Sequence, residues 1–194
     1  MDSPVLDAGT STLTATPTFA GFGVRLLASI VDMLVLSPLI GASIYFTTFS
    51  PSFGAVAAVT LLSMLYKPVM EGLYGATVGK MVCKLKVVAA EFEQISMAQA
   101  WMRYVPWIIG SLFGLYVNYQ LFSTPGFEDV DGFLEMGVFM QEASGKLGTL
   151  TTIQQLLGWL PLVSALFLLG NKRKQAAHDM LAETYVVRRD PNTL

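Results

Sequence analysis

The chain has 194 residues, 53% hydrophobic and 13% charged, with a mean hydropathy of +0.55. Soluble domains carry roughly 25% charged residues, so this composition points to a membrane protein. A net charge of −2 offers no basic field for nucleic acid, and the single cysteine, Cys83, excludes an intramolecular disulfide and a cysteine-built metal centre.

Residues 1–18 are rich in Ser, Thr, Ala and Pro and are predicted to be a disordered tail. They are too polar for the apolar core of a cleaved signal peptide, so the first span is expected to stay in the mature protein. A span needs about 20 mostly apolar residues. Four stretches qualify, near 22–46, 53–74, 105–122 and 153–170. The second is interrupted by Lys67, Pro68 and Glu71.

Between the second and third spans, "GKMVCKLKVVAA" alternates Met81, Cys83, Leu85 and Val87 with Val82, Lys84, Lys86 and Val88. Period two predicts a strand with one charged face. "QISMAQAWMRYV" reads as a short interfacial helix leading into the third span. Gly110 and Gly114 within that span form a GxxxG spacing, which suits close helix contact. Residues 123–150 form an acidic loop with Glu128, Asp129, Asp131, Glu135 and Glu142 against Lys146. In it Phe133, Met136 and Met140 fall at helical spacing, as in a helix lying on the membrane surface. After the fourth span, "ETYVVRR" is a second β-branched run that can pair with the first. Residues 190–194 are a short C-terminal tail. The expected fold is an all-α membrane protein of about four transmembrane helices with a small cytoplasmic β element, its membrane domain covering 19–189.

Lys80, Lys84, Lys86 and Arg103 lie between spans two and three, and Lys172, Arg173, Lys174, Arg188 and Arg189 follow span four. Basic segments stay inside. Both termini are therefore expected in the cytoplasm, with the acidic loop outside. Trp107, Tyr116 and Trp159 suit either the membrane interface or helix packing.

Charged residues inside spans usually face protein or water and have a partner. Arg25 and Asp32 share one face of the first span, about 10 Å apart along the axis. Lys67 and Glu71, at i and i+4, share a face of the second. On antiparallel helices, matching depth predicts two cross-helix pairs, Arg25 with Glu71 and Asp32 with Lys67. Pro68 removes a backbone donor beside Lys67 and frees a carbonyl one turn earlier. For Asp32 a functional role and plain helix pairing weigh evenly. His178 reads as a solvated or packed group, and Asp179 as a helix N-cap.

Three segments in order resemble the RDD family of membrane proteins, named for one arginine and two aspartates. They are "FAGFGVRLLASIVDMLVL", with Arg25 and Asp32; "GATVGKMVCKLKVV", similar to a G-x-T-x-G-K…L-x-V-V pattern; and "NKRKQAAHDMLAETYVV", which makes Asp179 the second aspartate. The resemblance covers about 19–189. Glu183 stands where glycine is usual, "EFEQIS" lacks the glycine often found at that turn, and the acidic insert before span four is long.

The resemblance implies an integral membrane protein of poorly defined function, for which transport of small cations or other solutes has been proposed, including sodium–proton exchange for one branch. The site residues would then be Arg25, Asp32, Lys67, Glu71 and Asp179, with a monovalent cation as ligand. Residue chemistry allows this for Asp32, because a carboxylate in low dielectric can trade a proton for a metal ion. Carriers usually rest on paired repeats. None is visible here, so transport calls for a homo-oligomer. The alternative is an accessory or assembly subunit of a larger membrane complex. An enzyme is not expected: one His, one Cys, no nucleophile motif and no metal-ligand spacing leave nothing to build from. No cofactor or bound metal is expected. The expected setting is the plasma (inner) membrane of a bacterium, with the bilayer and a homo-oligomeric or membrane-protein partner around the chain.

Overall fold

The computed structural model describes residues 18–170 and 172–189. The tail expected over 1–18 lies outside them apart from Thr18, as does the C-terminal tail over 190–194. The first span is helix α1, Phe22–Thr48. At 1.5 Å per residue its 27 residues reach about 40 Å, enough to cross a bilayer's hydrocarbon core. Leu26, Ile30, Met33, Leu34, Ile40 and Ile44 stand exposed along it, as a lipid-facing surface requires. Pro38 cannot donate to the Leu34 carbonyl, and the Ser37 hydroxyl does so instead at 2.8 Å.

Ser52 caps the second helix, α2, Phe53–Tyr74, by accepting from Ala55 N at 3.4 Å. Gly75 ends it at φ +69°, the left-handed conformation that glycine takes without steric cost. A one-turn helix, α3 (Val78–Val82), follows and packs on α1. The strand expected from Met81 onward starts later. Met81 and Val82 close α3, Lys84 sits at φ +54°, and β1 runs Leu85–Ala89.

Helix α4, Met97–Phe122, merges the expected interfacial helix and third span into one element. Its start is a capping box, in which Ser96 Oγ accepts from Gln99 N and Gln99 Oε1 accepts from Ser96 N. The acidic stretch 123–150, expected as a loop holding one surface helix on Phe133, Met136 and Met140, is helical over more of its length. After a 3₁₀ turn, Phe127–Asp129, come α5 (Phe133–Glu142) and α6 (Ser144–Gly158). Phe127, Leu147, Val130 and Leu121 form a small core under it, with Met136 and Met140 packed against them. That burial outweighs the low helix propensity of Gly137, Gly145 and Gly148. Gly132 N donates to Thr48 O, tying the segment to the end of α1.

A break at Trp159 separates α6 from α7, Leu160–Gly170. Among the described residues three segments are long and apolar enough to cross a membrane, Phe22–Thr48, Phe53–Tyr74 and Leu147–Leu168. The last begins before the expected 153. Helix α4 is as long, but Asn118, Gln120 and its tyrosines make it less apolar; packed along α2, it reads as the third span in chain order and brings the number to four. A final short helix, α8 (Ala177–Leu181), leads to β2, Thr184–Arg188.

The two β-branched runs pair as expected. β1 and β2 are antiparallel, with Leu85 opposite Arg188 and Ala89 opposite Thr184, and Phe19 bridges to Val187 beside them. Both faces are covered. Leu85, Val87 and Val186 pack with Ala20, Ala28, Ile95 and Ala100, while Val88, Tyr185 and Val187 pack with Phe19.

Candidate functional site

Two polar clusters lie where the sheet end meets the spans. The first centres on Asp32, 3% exposed on α1. Its Oδ1 accepts from the Tyr66 hydroxyl at 2.9 Å and from Gly79 N at 2.8 Å, and its Oδ2 accepts from the Thr77 hydroxyl at 2.7 Å. Thr77 also caps α3, accepting from Lys80 N at 3.3 Å, while the Tyr66 oxygen accepts from Val78 N at 3.2 Å. The start of α3 is thus held against α1 by a carboxylate, a phenol and a threonine. Three neutral donors surround Asp32, and no cationic side chain of the described residues lies within ion-pair distance.

The second cluster is ionic. Glu71, fully buried on α2, accepts from Lys80 Nζ, from Arg103 Nε at 3.0 Å and from the Tyr104 hydroxyl at 2.8 Å. Asp179, fully buried on α8, accepts from Arg25 Nη1 and from Ala176 N at 3.1 Å. Arg103 joins the two halves. Its Nη1 lies 2.8 Å from Asp179 Oδ1, an ionic contact without hydrogen-bond alignment, and donates to the Thr184 hydroxyl. Arg25 also donates to the carbonyls of Ala20 and Lys174. Spans one, two and three, α3, α8 and β2 therefore meet in one network.

Outside the spans the electrostatics are clear. Burial would raise the Asp179 carboxyl, but the Arg103 and Arg25 guanidiniums hold it well below the usual carboxylate range. Burial pulls the Lys80 ammonium below the usual lysine range, against the attraction of Glu71. Burial also lowers His178 to about 3, so the imidazole is neutral at pH 7. Its Nδ1 lies 2.8 Å from the Ser164 hydroxyl and its Nε2 lies 3.2 Å from Asp179 Oδ1. A neutral ring accepting from Ser164 and carrying its proton on Nε2 suits both neighbours. Trp107 packs edge-to-face on the ring at 4.7 Å. His178 is thus a packed group.

The RDD family pattern matches residues 19–183. The chain belongs to the RDD family. No curated protein and no solved structure matches it. The arginine and aspartates for which the family is named divide between the two clusters. Arg25 and Asp179 form an ion pair across the fold, while Asp32 stands with neutral donors.

Both predicted cross-helix pairs are corrected by this geometry. Arg25 pairs with Asp179 rather than Glu71, because α8 brings a carboxylate to the start of α1. Asp32 meets Tyr66, Thr77 and Gly79 rather than Lys67, because α3 folds back over it. Glu71 is held by Lys80 and Arg103. Asp179 occupies the third position of α8 and accepts from Ala176 N, so Ala176 and not Asp179 is the N-cap residue. Of the GxxxG pair in this RDD chain, Gly114 approaches Gln154, whereas Gly110 has open space.

Tyr66 and Tyr104 carried no expectation, and Arg103 counted only as one of the basic residues that set orientation. For Arg103 a signal existed: the Ser96–Gln99 capping box starts the helix early and places Arg103 nearly two turns inside it. Thr77, Gly79 and Lys80 were visible as letters of the G-x-T-x-G-K motif. Their partners were not.

Proposed function

We propose that this chain moves small monovalent cations across the membrane in exchange for protons, with Asp32 as the exchanging carboxylate. One observation carries the reading. Asp32 is buried in the first span among neutral donors, and no cationic side chain of the described residues pairs with it. A proton or a small cation can balance its charge alternately, and the oxygens of Tyr66 and Thr77 are at hand as further ligands. The ionic cluster then serves as the rigid frame around Asp32, tying α3 to α2 through Lys80 and Glu71 and α8 to α1 through Asp179 and Arg25. In this reading the sheet end and both termini face the cytoplasm of a bacterial cell, and the chain works as a homo-oligomer.

The test is cation-driven proton flux in liposomes, with sodium, lithium and potassium in turn. The Asp32→Asn variant is expected to insert and fold but to carry no exchange. Undiminished flux in that variant removes Asp32 from the mechanism, and no flux from the unaltered protein with any of the three ions removes the reading.

A second reading, an accessory subunit of a membrane complex, draws on α5. Its Phe133, Leu134 and Val138 are exposed, Leu134 at 89%, outside the spans. Purification in mild detergent separates the two: a defined larger complex favours the accessory reading, a homo-oligomer favours transport.

A further inference from the structure

Lys67 is the charged residue of the spans that neither cluster uses. It is half-buried on α2 and makes no hydrogen bond or ion pair with the described residues. It lines a groove of about 370 Å³ between α1, α2 and α4. Seven positions from the end of α2, it lies about 10 Å inside the span. Helix geometry tilts its Cβ toward the N-terminus of α2, deeper into the membrane, where Ser63 and Thr60 line the same groove. The side chain lines the groove beside Tyr104 and Trp107.

The rest of the lining is mixed in a particular way. Ser43, Thr60 and Ser111 offer hydroxyls that make no hydrogen bond within the described residues, while Ile40, Ile108 and Trp107 supply apolar wall. An ammonium at this depth needs a counter-charge. The walls favour one attached to an apolar body over an inorganic ion. The position of Lys67, about 10 Å in from the end of α2, disfavours the phosphate of an ordinary diacyl lipid, which its two chains hold at the headgroup level. A single-chain acid can sink further.

We propose that this groove binds a single-chain amphiphile with a carboxylate head, the carboxylate pairing with Lys67 and its chain lying along Ile40 and Ile108. The site is separate from Asp32 and stands whether or not the protein exchanges cations.

The groove reports on itself through Trp107. With Trp101→Phe and Trp159→Phe, Trp107 is the remaining tryptophan. The protein is placed in nanodiscs of zwitterionic phosphatidylcholine and titrated with 11-bromoundecanoate, whose bromine quenches indole fluorescence. Saturable quenching is expected, at least tenfold weaker in Lys67→Met and retained in Lys67→Arg. The methyl ester, at equal membrane loading, is expected to quench only weakly and without saturation. Equal quenching by acid and ester overturns the proposal. So does undiminished binding to a folded Lys67→Met, or displacement of the probe by millimolar chloride or inorganic phosphate, which would make the site one for free anions. If Lys67→Met fails to fold, the acid–ester comparison on the Lys67 protein decides alone.

Discussion

Gly79 and Asp32 are held together at a distance that leaves no room for a side chain. Gly79 N donates to Asp32 Oδ1 at 2.8 Å, and a Cβ built on Gly79 would stand 2.0 Å from the Ala28 carbonyl oxygen and 2.9 Å from the Asp32 carboxyl carbon. The obstruction is helix backbone, which cannot rotate aside. Gly79→Ala must push α3 off α1, breaking the Asp32 bonds to both Gly79 and Thr77. A loss of roughly 3 kcal/mol or more is expected, at the upper end for overpacking. Thermal unfolding in detergent checks it. A melting temperature within a degree of the unaltered protein's would contradict the close approach.

The ion pair of Arg25 with Asp179 makes a testable contrast with the pairings that hydropathy and depth suggest. Removing one member of a buried pair leaves the other charge orphaned, at a cost of about 3–5 kcal/mol. Arg25→Met and Asp179→Asn are each expected to lower stability sharply. The double variant is expected to recover part of the sum, with a coupling of roughly 0.5–3 kcal/mol. Asp32→Asn with Lys67→Met is expected to be additive, since those side chains do not meet. Additivity in the first cycle and coupling in the second would reverse the assignment.

Why the pairs were not legible follows from where their partners sit. Reading one helix against the next sees only charges at matching depth, which for Arg25 offered Glu71. The true partner lies 154 positions along the chain, on a five-residue helix with no hydropathy signal. Asp32 likewise meets a backbone amide, which carries no letter of its own. By contrast, α2 fell at 53–74 as expected, because an uncharged stretch and a Ser cap bound it on one side and Gly75 on the other. The pairing of "LKVVA" with "TYVVR" was also readable, since each carries a Val-Val pair in an extended run outside the spans. The helical spacing of Phe133, Met136 and Met140 marked α5, but the start of α6 before residue 153 was not legible, because its glycines lower helix propensity and its stability comes from the core around Phe127 and Leu147.

Acid is expected to weaken the fold through His178 before it reaches the carboxylates. The folded imidazole titrates at about 3, against an ordinary value of 6.5. Its neutral form is what the fold accommodates, beside Ser164, with Arg103 and Lys80 opposing a further positive charge. The unfolded chain takes up a proton near pH 6.5 and the folded chain does not. This contribution is therefore complete above pH 6.5 and is lost as pH falls from there toward 3. Asp179, also depressed, has the same sign but acts only below its ordinary value of 3.8. Melting temperature should decline between pH 7 and pH 5, and His178→Asn should flatten that decline even if its baseline is lower. An equal slope in the variant would assign the effect elsewhere.

Two non-glycine residues in turns beside the strands adopt the conformation glycine favours. Glu183 lies at φ +52° between α8 and β2, and Phe92 at φ +63° in the turn after β1. A left-handed residue with a Cβ costs roughly 1–2 kcal/mol. Phe92 has a compensation, since its ring stacks on Tyr185 at 6.1 Å and meets Phe19 at 6.3 Å. Aromatic pairs of this kind are worth about 0.5–1.5 kcal/mol beyond the area they bury. Glu183 has none: its side chain is exposed and makes no hydrogen bond or ion pair among the described residues. Glu183→Gly is therefore expected to raise stability by about 0.5–1 kcal/mol, the relief of strain exceeding the extra freedom given to the unfolded chain. Phe92→Gly is expected to lower it, because the ring contacts go with the strain. Paired melting curves of the two variants measure both signs at once. A Glu183→Gly protein less stable than the parent would show that the turn into β2 is held by something other than its backbone geometry.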